Sequence, residues 1–343
     1  MPSATRLPPN PNLTGKPSRA LGKYTQCVHH YSGLFSTIYL CPPEPDSKQL
    51  LAIKAVSPSS EAPPHNSKRE ARILAALSHA NIVQLLDTQE VFSPRTLLLV
   101  FPFQPFTLED LLTSQNIIPN NIIQDIFYGL SFIHGKGTIH RDVKPTNILL
   151  SSLSGPALLC DFGIAWSPTD PASEPREAKI TDIGTTSYRA PELLFGCRFY
   201  SEAVDLWAAG CVMAEILVHN AHPRGKEGWT LFDAGELGSE LALVRSIFET
   251  LGTPNERSWP ESKDLPDWGK MTFLDFPAKV WEDILPGVDQ DEAELVKDLV
   301  RYESKDRERA KQVSGLHAVM LLSPMSDPQD LMTLFLGPAI CFV

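Results

Sequence analysis

The chain has 343 residues, 43% of them hydrophobic, and a net charge of −11. That length suits one large or two small globular units, and the acidic balance argues against nucleic acid as the main partner. No apolar run reaches the roughly 18 residues that a membrane span needs, and the Pro-rich start MPSATRLPPNPNLTGKPSRA contains no apolar leader segment.

Residues 1–22 lack periodicity and hold several prolines, which predicts a disordered arm. From 23 to 58, apolar runs such as FSTIYL and LLAIKAV alternate with Pro/Ser turns, as antiparallel strands do. SKREARILAALSH (67–79) sets Ile73, Leu74 and Leu77 on one helical face, and VQLL and TLLLVF return to strand. After Pro105 the pattern changes: NNIIQDIFYGLSFIH (120–134) repeats Ile122, Ile123, Ile126, Phe127, Leu130 and Ile133 at helical spacing. AVDLWAAGCVMAEILV (203–218) is apolar almost all round, as in a helix buried within a large domain. Further helices are expected near 239–251 and 291–302. The layout is α+β, with a small β-rich lobe (23–101), a connection (102–107) and a larger, mainly helical lobe (108–312). The segment 313–343 matches no expected element. The six cysteines, Cys27, Cys41, Cys160, Cys197, Cys211 and Cys341, show no ligand spacing. They read as thiols used as small hydrophobes in a reducing compartment.

HRDVKPTNILL (140–150), DFG (161–163) and APE (190–192) follow one another behind an LLAIK strand and around a DLW helix. Together they resemble the signature set of eukaryotic protein kinases over residues 23–312. The resemblance implies a bilobal protein kinase fold and transfer of a phosphoryl group from ATP, with Mg2+, to a serine or threonine of a protein. That reaction needs positioning and charge neutralisation more than covalent chemistry. By the resemblance, Asp142 accepts the hydroxyl proton, Lys144 steadies the moving phosphoryl group, and Thr185 hydrogen-bonds both. Asn147 and Asp161 would be the Mg2+ ligands. Lys54 would hold the α- and β-phosphates with Glu70 as its partner; the rival reading makes Ser67-x-x-Glu70 a helix capping box. Ala52 and Leu149 would enclose the adenine, with Phe101 as gatekeeper and Phe103 and Gln104 at the hinge. The phosphate clamp reads YSGLFSTI (31–38), where only Gly33 of three family glycines survives, flanked by Tyr31 and Ser36 and followed by Ile38. Because no Lys, Asp or Asn of the set is lost, the expectation is an active enzyme with a looser clamp.

YRAPELLFG and SIFETLGTPNERSWP (246–260) resemble the cyclin-dependent kinase branch, in which Arg307 would pair with Glu192. Relatives there grip a phosphothreonine with three arginines. Two stand here, Arg69 and Arg141; the third position is Trp166 and the acceptor position is Ile180. The activation segment is therefore expected to order without phosphorylation, Thr181 being the alternative acceptor. Gly184 and Ser187 replace a strained residue and a tryptophan, so a strict demand for proline after the acceptor is not expected. This pattern is similar to the CDK-activating kinases, which phosphorylate the activation-loop threonine of other cyclin-dependent kinases. HNSKREAR lacks most of the cyclin-docking sequence, so a constitutive cyclin partner is not implied, although related kinases with divergent helices bind cyclins, and a monomer is expected. A cyclin-bound cyclin-dependent kinase and a silent pseudokinase scaffold are the alternatives, and the expected compartment is nucleus or cytoplasm.

Overall fold

The computed structural model describes residues 13, 16–43, 49–92, 95–222 and 228–307. The segment 313–343, which matches no expected element, lies outside the described residues. Six antiparallel strands form the first lobe: β1 (Ser18–Leu21), β2 (Tyr24–Ser32), β3 (Ser36–Cys41), β4 (Leu51–Val56), β5 (Asp87–Phe92) and β6 (Arg95–Pro102). Their order is β1-β2-β3-β4-β6-β5, so β4 and β6 lie inside the sheet and their apolar runs are buried. The expected arm is thus shorter than 1–22, because Ser18–Leu21 pairs with β2. Helix α1 (Ser67–Ala75) packs on this sheet.

Two further expectations need correction. VQLL is not a strand: Ile82 makes a single bridge to Leu159, and the Val83 N–H donates to the Leu159 carbonyl. That isolated bridge ties the run to the second lobe, and the strand starts only at Asp87. The cysteines are not all free, either. Cys27 and Cys41 form a disulfide, because the β2–β3 register sets Val28 opposite Leu40 and so faces the two thiols across the hairpin. Cys160, Cys197 and Cys211 are free.

The second lobe begins with β7 (Phe106–Thr107) and α2 (Leu108–Leu112), followed by α3 (Asn121–Gly135). A small sheet joins β7 to β8 (Ile148–Leu150) and β9 (Ala157–Leu159). Helices α4 (Pro191–Leu194), α5 (Ala203–Ala221), α6 (Glu240–Leu251), α7 (Trp281–Ile284) and α8 (Gln290–Leu299) complete it. Every residue of α5 from Ala203 to Val218 is buried, which is why its apolar residues show no single face. Gly210 permits the closest approach: a Cβ there would lie 2.8 Å from Leu299 of α8. Among the described residues no helix is long and apolar enough to cross a membrane.

Arg307 closes this lobe from beneath. Its Nη2 donates to Glu192 Oε2 (2.6 Å) and its Nη1 to the Ala203 carbonyl (2.9 Å), while the guanidinium lies over the Trp207 ring. Both charged side chains are buried, so removing one strands the other in a medium that solvates it poorly. Arg307→Ala should cost about 3–5 kcal/mol of stability. A urea unfolding midpoint equal to that of the parent would contradict this.

Candidate active site

Lys54 is carried by β4, where it faces Ile38 of β3 on one side and Leu99 of β6 on the other. Its ammonium donates to both oxygens of Glu70 (2.8 and 2.9 Å) and to Asp161 Oδ1 (2.8 Å). The capping alternative for Glu70 falls away, because the N-cap of α1 is Asn66, whose side chain accepts the Arg69 N–H (2.8 Å). Ser67 instead binds Glu61 through its N–H and its hydroxyl. Burial disfavours the Lys54 charge, yet Asp161 and Glu70 hold its ammonium above the ordinary lysine range. The Lys54 charge keeps the Asp161 carboxyl well below the usual carboxylate range. Burial pushes Glu70 up to about 6 against the pull of Lys54, which still leaves it ionised at neutral pH.

The second cluster sits on the loop between α3 and β8. Asp142 Oδ1 accepts from the Thr185 N–H and hydroxyl, both at 3.0 Å. Its Oδ2 accepts from Asn147 Nδ2 and lies beside Lys144 Nζ, both at 2.8 Å. Lys144 also donates to the Thr185 hydroxyl (2.6 Å). All four expected catalytic side chains therefore meet in one hydrogen-bonded group. A backbone bond joins the clusters: the Cys160 N–H, next to Asp161, donates to the Asn147 carbonyl (3.0 Å). A carboxylate so oriented can accept a proton from a hydroxyl presented beside it, and the adjacent lysine can offset charge on a transferring group.

The residues fit Mg2+ and a nucleotide. Asn147 spends its amide nitrogen on Asp142, which leaves its amide oxygen as a hard donor alongside the ionised Asp161. Two such ligands suit Mg2+, which takes much of its coordination from phosphates and water. Ala52 on β4 and Leu149 on β8 are half-buried, with Phe101 paired to Ala52 across the β4–β6 ladder. The Phe103 N–H is spent on the Leu50 carbonyl (2.8 Å), so this hinge amide is not free to meet a base; Gln104 follows it, half-exposed. Tyr31 and Ser36 frame the β2–β3 hairpin, closed by a bond from the Gly33 N–H to the Ser36 carbonyl (2.8 Å). Gly33 has no steric need to be glycine in this turn, since the nearest atom to an added Cβ lies 3.5 Å away. Phe35 leans inward on the His65 ring, with centroids 4.4 Å apart.

Several residues outside the expected set hold this group in place. Asp205, buried in α5, accepts from the His140 N–H, the Arg141 N–H and His134 Nε2, each at 2.8 Å. Those bonds sustain a left-handed Arg141 (φ 73), a conformation with positive φ that non-glycine residues rarely adopt. Asp161 is likewise left-handed (φ 62), and the following Phe162 is fully buried against His140. The DLW pattern marked Asp205 in the sequence but gave no hint of its partners. The Arg69–Arg141 pair faces a carboxylate, Glu174, that sequence spacing did not single out. Ile180 is half-buried, its carbonyl accepting from the Tyr200 hydroxyl (2.7 Å). Gly184 holds φ 72 without strain, and its carbonyl accepts from Arg189 Nη2 (3.1 Å).

Residues 31–317 match the family described as protein kinase domain. The chain is 37% identical over 284 residues to serine/threonine-protein kinase csk1 of Schizosaccharomyces pombe (strain 972 / ATCC 24843), covering 82% of this chain and 90% of that protein. Its fold is similar to a chain in the crystal structure of the yeast RNA Pol II CTD kinase CTDK-1 complex. That match has a TM-score of 0.65 and 25% identity, covering 80% of this chain and 88% of the other. With the Asp142 and Lys54 clusters tied by the Cys160–Asn147 backbone bond, the chain belongs to the protein kinase family and is a serine/threonine protein kinase.

Proposed function

We propose that this kinase transfers the γ-phosphoryl group of Mg2+-bound ATP to the activation-loop threonine of cyclin-dependent kinases, acting as a monomer whose own activation segment needs no phosphate. One observation carries the phosphotransfer: Asp142, Lys144, Asn147 and Thr185 are joined by side-chain hydrogen bonds, and a backbone bond ties them to the Lys54–Glu70–Asp161 group. The acceptor hydroxyl would lie beside Asp142, its proton passing to that carboxylate as the oxygen attacks the γ-phosphorus and the bond to the β,γ-bridging oxygen breaks, releasing ADP. Lys144 would sit close to the charge that develops on the transferring group. Lys54, already fixed by Glu70, would meet the phosphates, while Asn147 and Asp161 would hold the cation.

The target class rests on the YRAPELLFG and SIFETLGTPNERSWP resemblance to the cyclin-dependent kinase branch, together with the features that set this chain apart within it. Gly184 bears on the substrate residue after the acceptor. A glycine there occupies the turned conformation at no steric cost, its carbonyl held by Arg189 Nη2, with no strained side-chain-bearing residue to shape a proline pocket. Nothing therefore compels the next substrate residue to be proline, the one residue without an N–H to satisfy.

The test is a phosphotransfer assay of the purified monomer, without any cyclin, on an inactive cyclin-dependent kinase with Mg2+-ATP. The parent should phosphorylate the activation-loop threonine, and Asp142→Asn should lower kcat by about 100-fold to 10,000-fold. Equal rates for parent and variant would support the silent-scaffold reading. A monomer that works only with an added cyclin would support the cyclin-bound reading. On a peptide array varying the residue after the acceptor, several residue types should be accepted, and an absolute requirement for proline would exclude the proposed target class.

A further inference from the structure

The activation segment contains a carboxylate placed between two buried cations. Arg69 on α1 is 2% exposed and Arg141 of the catalytic loop is 4% exposed. The two guanidiniums repel one another, and burying like charges together is costly unless an anion lies between them. Glu174 is that anion. Its Oε1 accepts from Arg141 Nη1 (3.2 Å) and its Oε2 from Arg141 Nη2 (2.7 Å), a two-pronged pair, and Oε2 lies 3.8 Å from Arg69 Nη1. Its main chain is fixed as well: the Trp166 indole N–H donates to the Glu174 carbonyl (2.8 Å). Trp166 thus stands where a third cation was expected and serves as a donor to this same segment. Tyr200 extends the group, accepting from Arg141 Nη1 (3.1 Å).

The same stretch engages α1 at two more points, on alternate residues. Arg69 Nη1 donates to the Ala172 carbonyl (3.2 Å). One turn further along the helix, Arg72 makes a second two-pronged pair with Asp170 (2.7 and 2.9 Å). Asp170, Ala172 and Glu174 therefore line the arginine-bearing side of the helix that also carries Glu70 to Lys54. Arg69 directly precedes Glu70 in the chain, and Arg141 directly precedes Asp142. Whatever fixes the two arginines constrains the two carboxylates beside them.

We propose that Glu174 is a positioning residue that takes the place of an added phosphate in this kinase, and that the Asp170–Arg72 pair braces α1 from within the chain. The proposal rests on the kinase reading and names the regulation of that site: helix and catalytic loop are set by carboxylates encoded in residues 170–174. A bidentate carboxylate–guanidinium pair has the directionality for this role, and at low exposure it is little screened by salt.

The experiment uses the full chain treated with a broad-specificity phosphatase, with absence of phosphate verified by intact mass, and assays transfer to a generic protein acceptor. The dephosphorylated parent should keep its activity. Glu174→Gln, which keeps the shape and removes the charge, should lower kcat by about tenfold to a hundredfold while the KM for ATP moves far less. Glu174→Asp should recover part of the loss. Arg72→Asp and Asp170→Arg should each reduce activity, and the double exchange should restore it. A Glu174→Gln enzyme as fast as the parent, loss of parent activity on phosphatase treatment, or a double exchange no better than its single variants would overturn the proposal. If the parent transfers no phosphate at all, the kinase reading fails instead. The brace is then read by hydrogen exchange over 67–75, where faster exchange in Glu174→Gln supports it and unchanged exchange overturns it.

Discussion

A single carboxylate inside α5 organises the catalytic loop. Asp205 has no access to water, and burial alone would favour its neutral form. The hydrogen bonds it accepts from His134 and from the His140 and Arg141 main chain outweigh that burial and hold its carboxyl below the usual carboxylate range. Those bonds hold two consecutive peptide groups in a turn that a non-glycine residue rarely enters. From that turn the Arg141 side chain is directed to Glu174, while Asp142 is directed to Thr185 and Asn147. The regulatory contact and the catalytic contact leave neighbouring residues of one strained loop, so neither can move far without the other.

The first lobe contributes a cation shared between two acids. Lys54 touches Glu70 on the helix and Asp161 on the loop ahead of the activation segment, so its ammonium reports the position of both. The Asn66 N–H also donates to the Gly163 carbonyl (2.9 Å), which pins the start of α1 to the same loop. Helix, strand and loop thus form a closed circuit in which the two acids are unequal. Asp161 is held firmly ionised, as a cation ligand requires, whereas Glu70 is costly to keep charged and depends on the lysine it orients. The free Cys160 beside them is half-buried, and its surroundings raise its thiol far above the ordinary range, which suits a packing group better than a nucleophile.

Much of this was legible in the sequence, for an identifiable reason. Strands β4 and β6 and helices α3, α5 and α6 carry dense apolar patterns because β6 and α5 are buried along most of their length and β4, α3 and α6 each bury a regular set of positions. The catalytic residues lie within short motifs, where spacing along the chain nearly equals spacing in the fold. VQLL failed because only Val83 of the run is buried and its backbone makes isolated hydrogen bonds in place of a ladder. Edge strand β5, DTQEVF, escaped notice because its alternation is weak and half its residues face water. The Cys27–Cys41 pair could not be seen from spacing alone, since only the β2–β3 register makes positions 14 apart adjacent.

The sequence by itself determined the reaction class and brought forward the groups proposed to perform it, because most of those groups sit on short loops whose local geometry their own residues dictate. The tertiary structure alone decided what stands between Arg69 and Arg141. Glu174 reaches them through a loop excursion, over positions where no periodicity links residue number to place. Charge pairing across 33 and 105 residues of chain is a property of the folded surface, in which the only condition is that a buried cation find an anion.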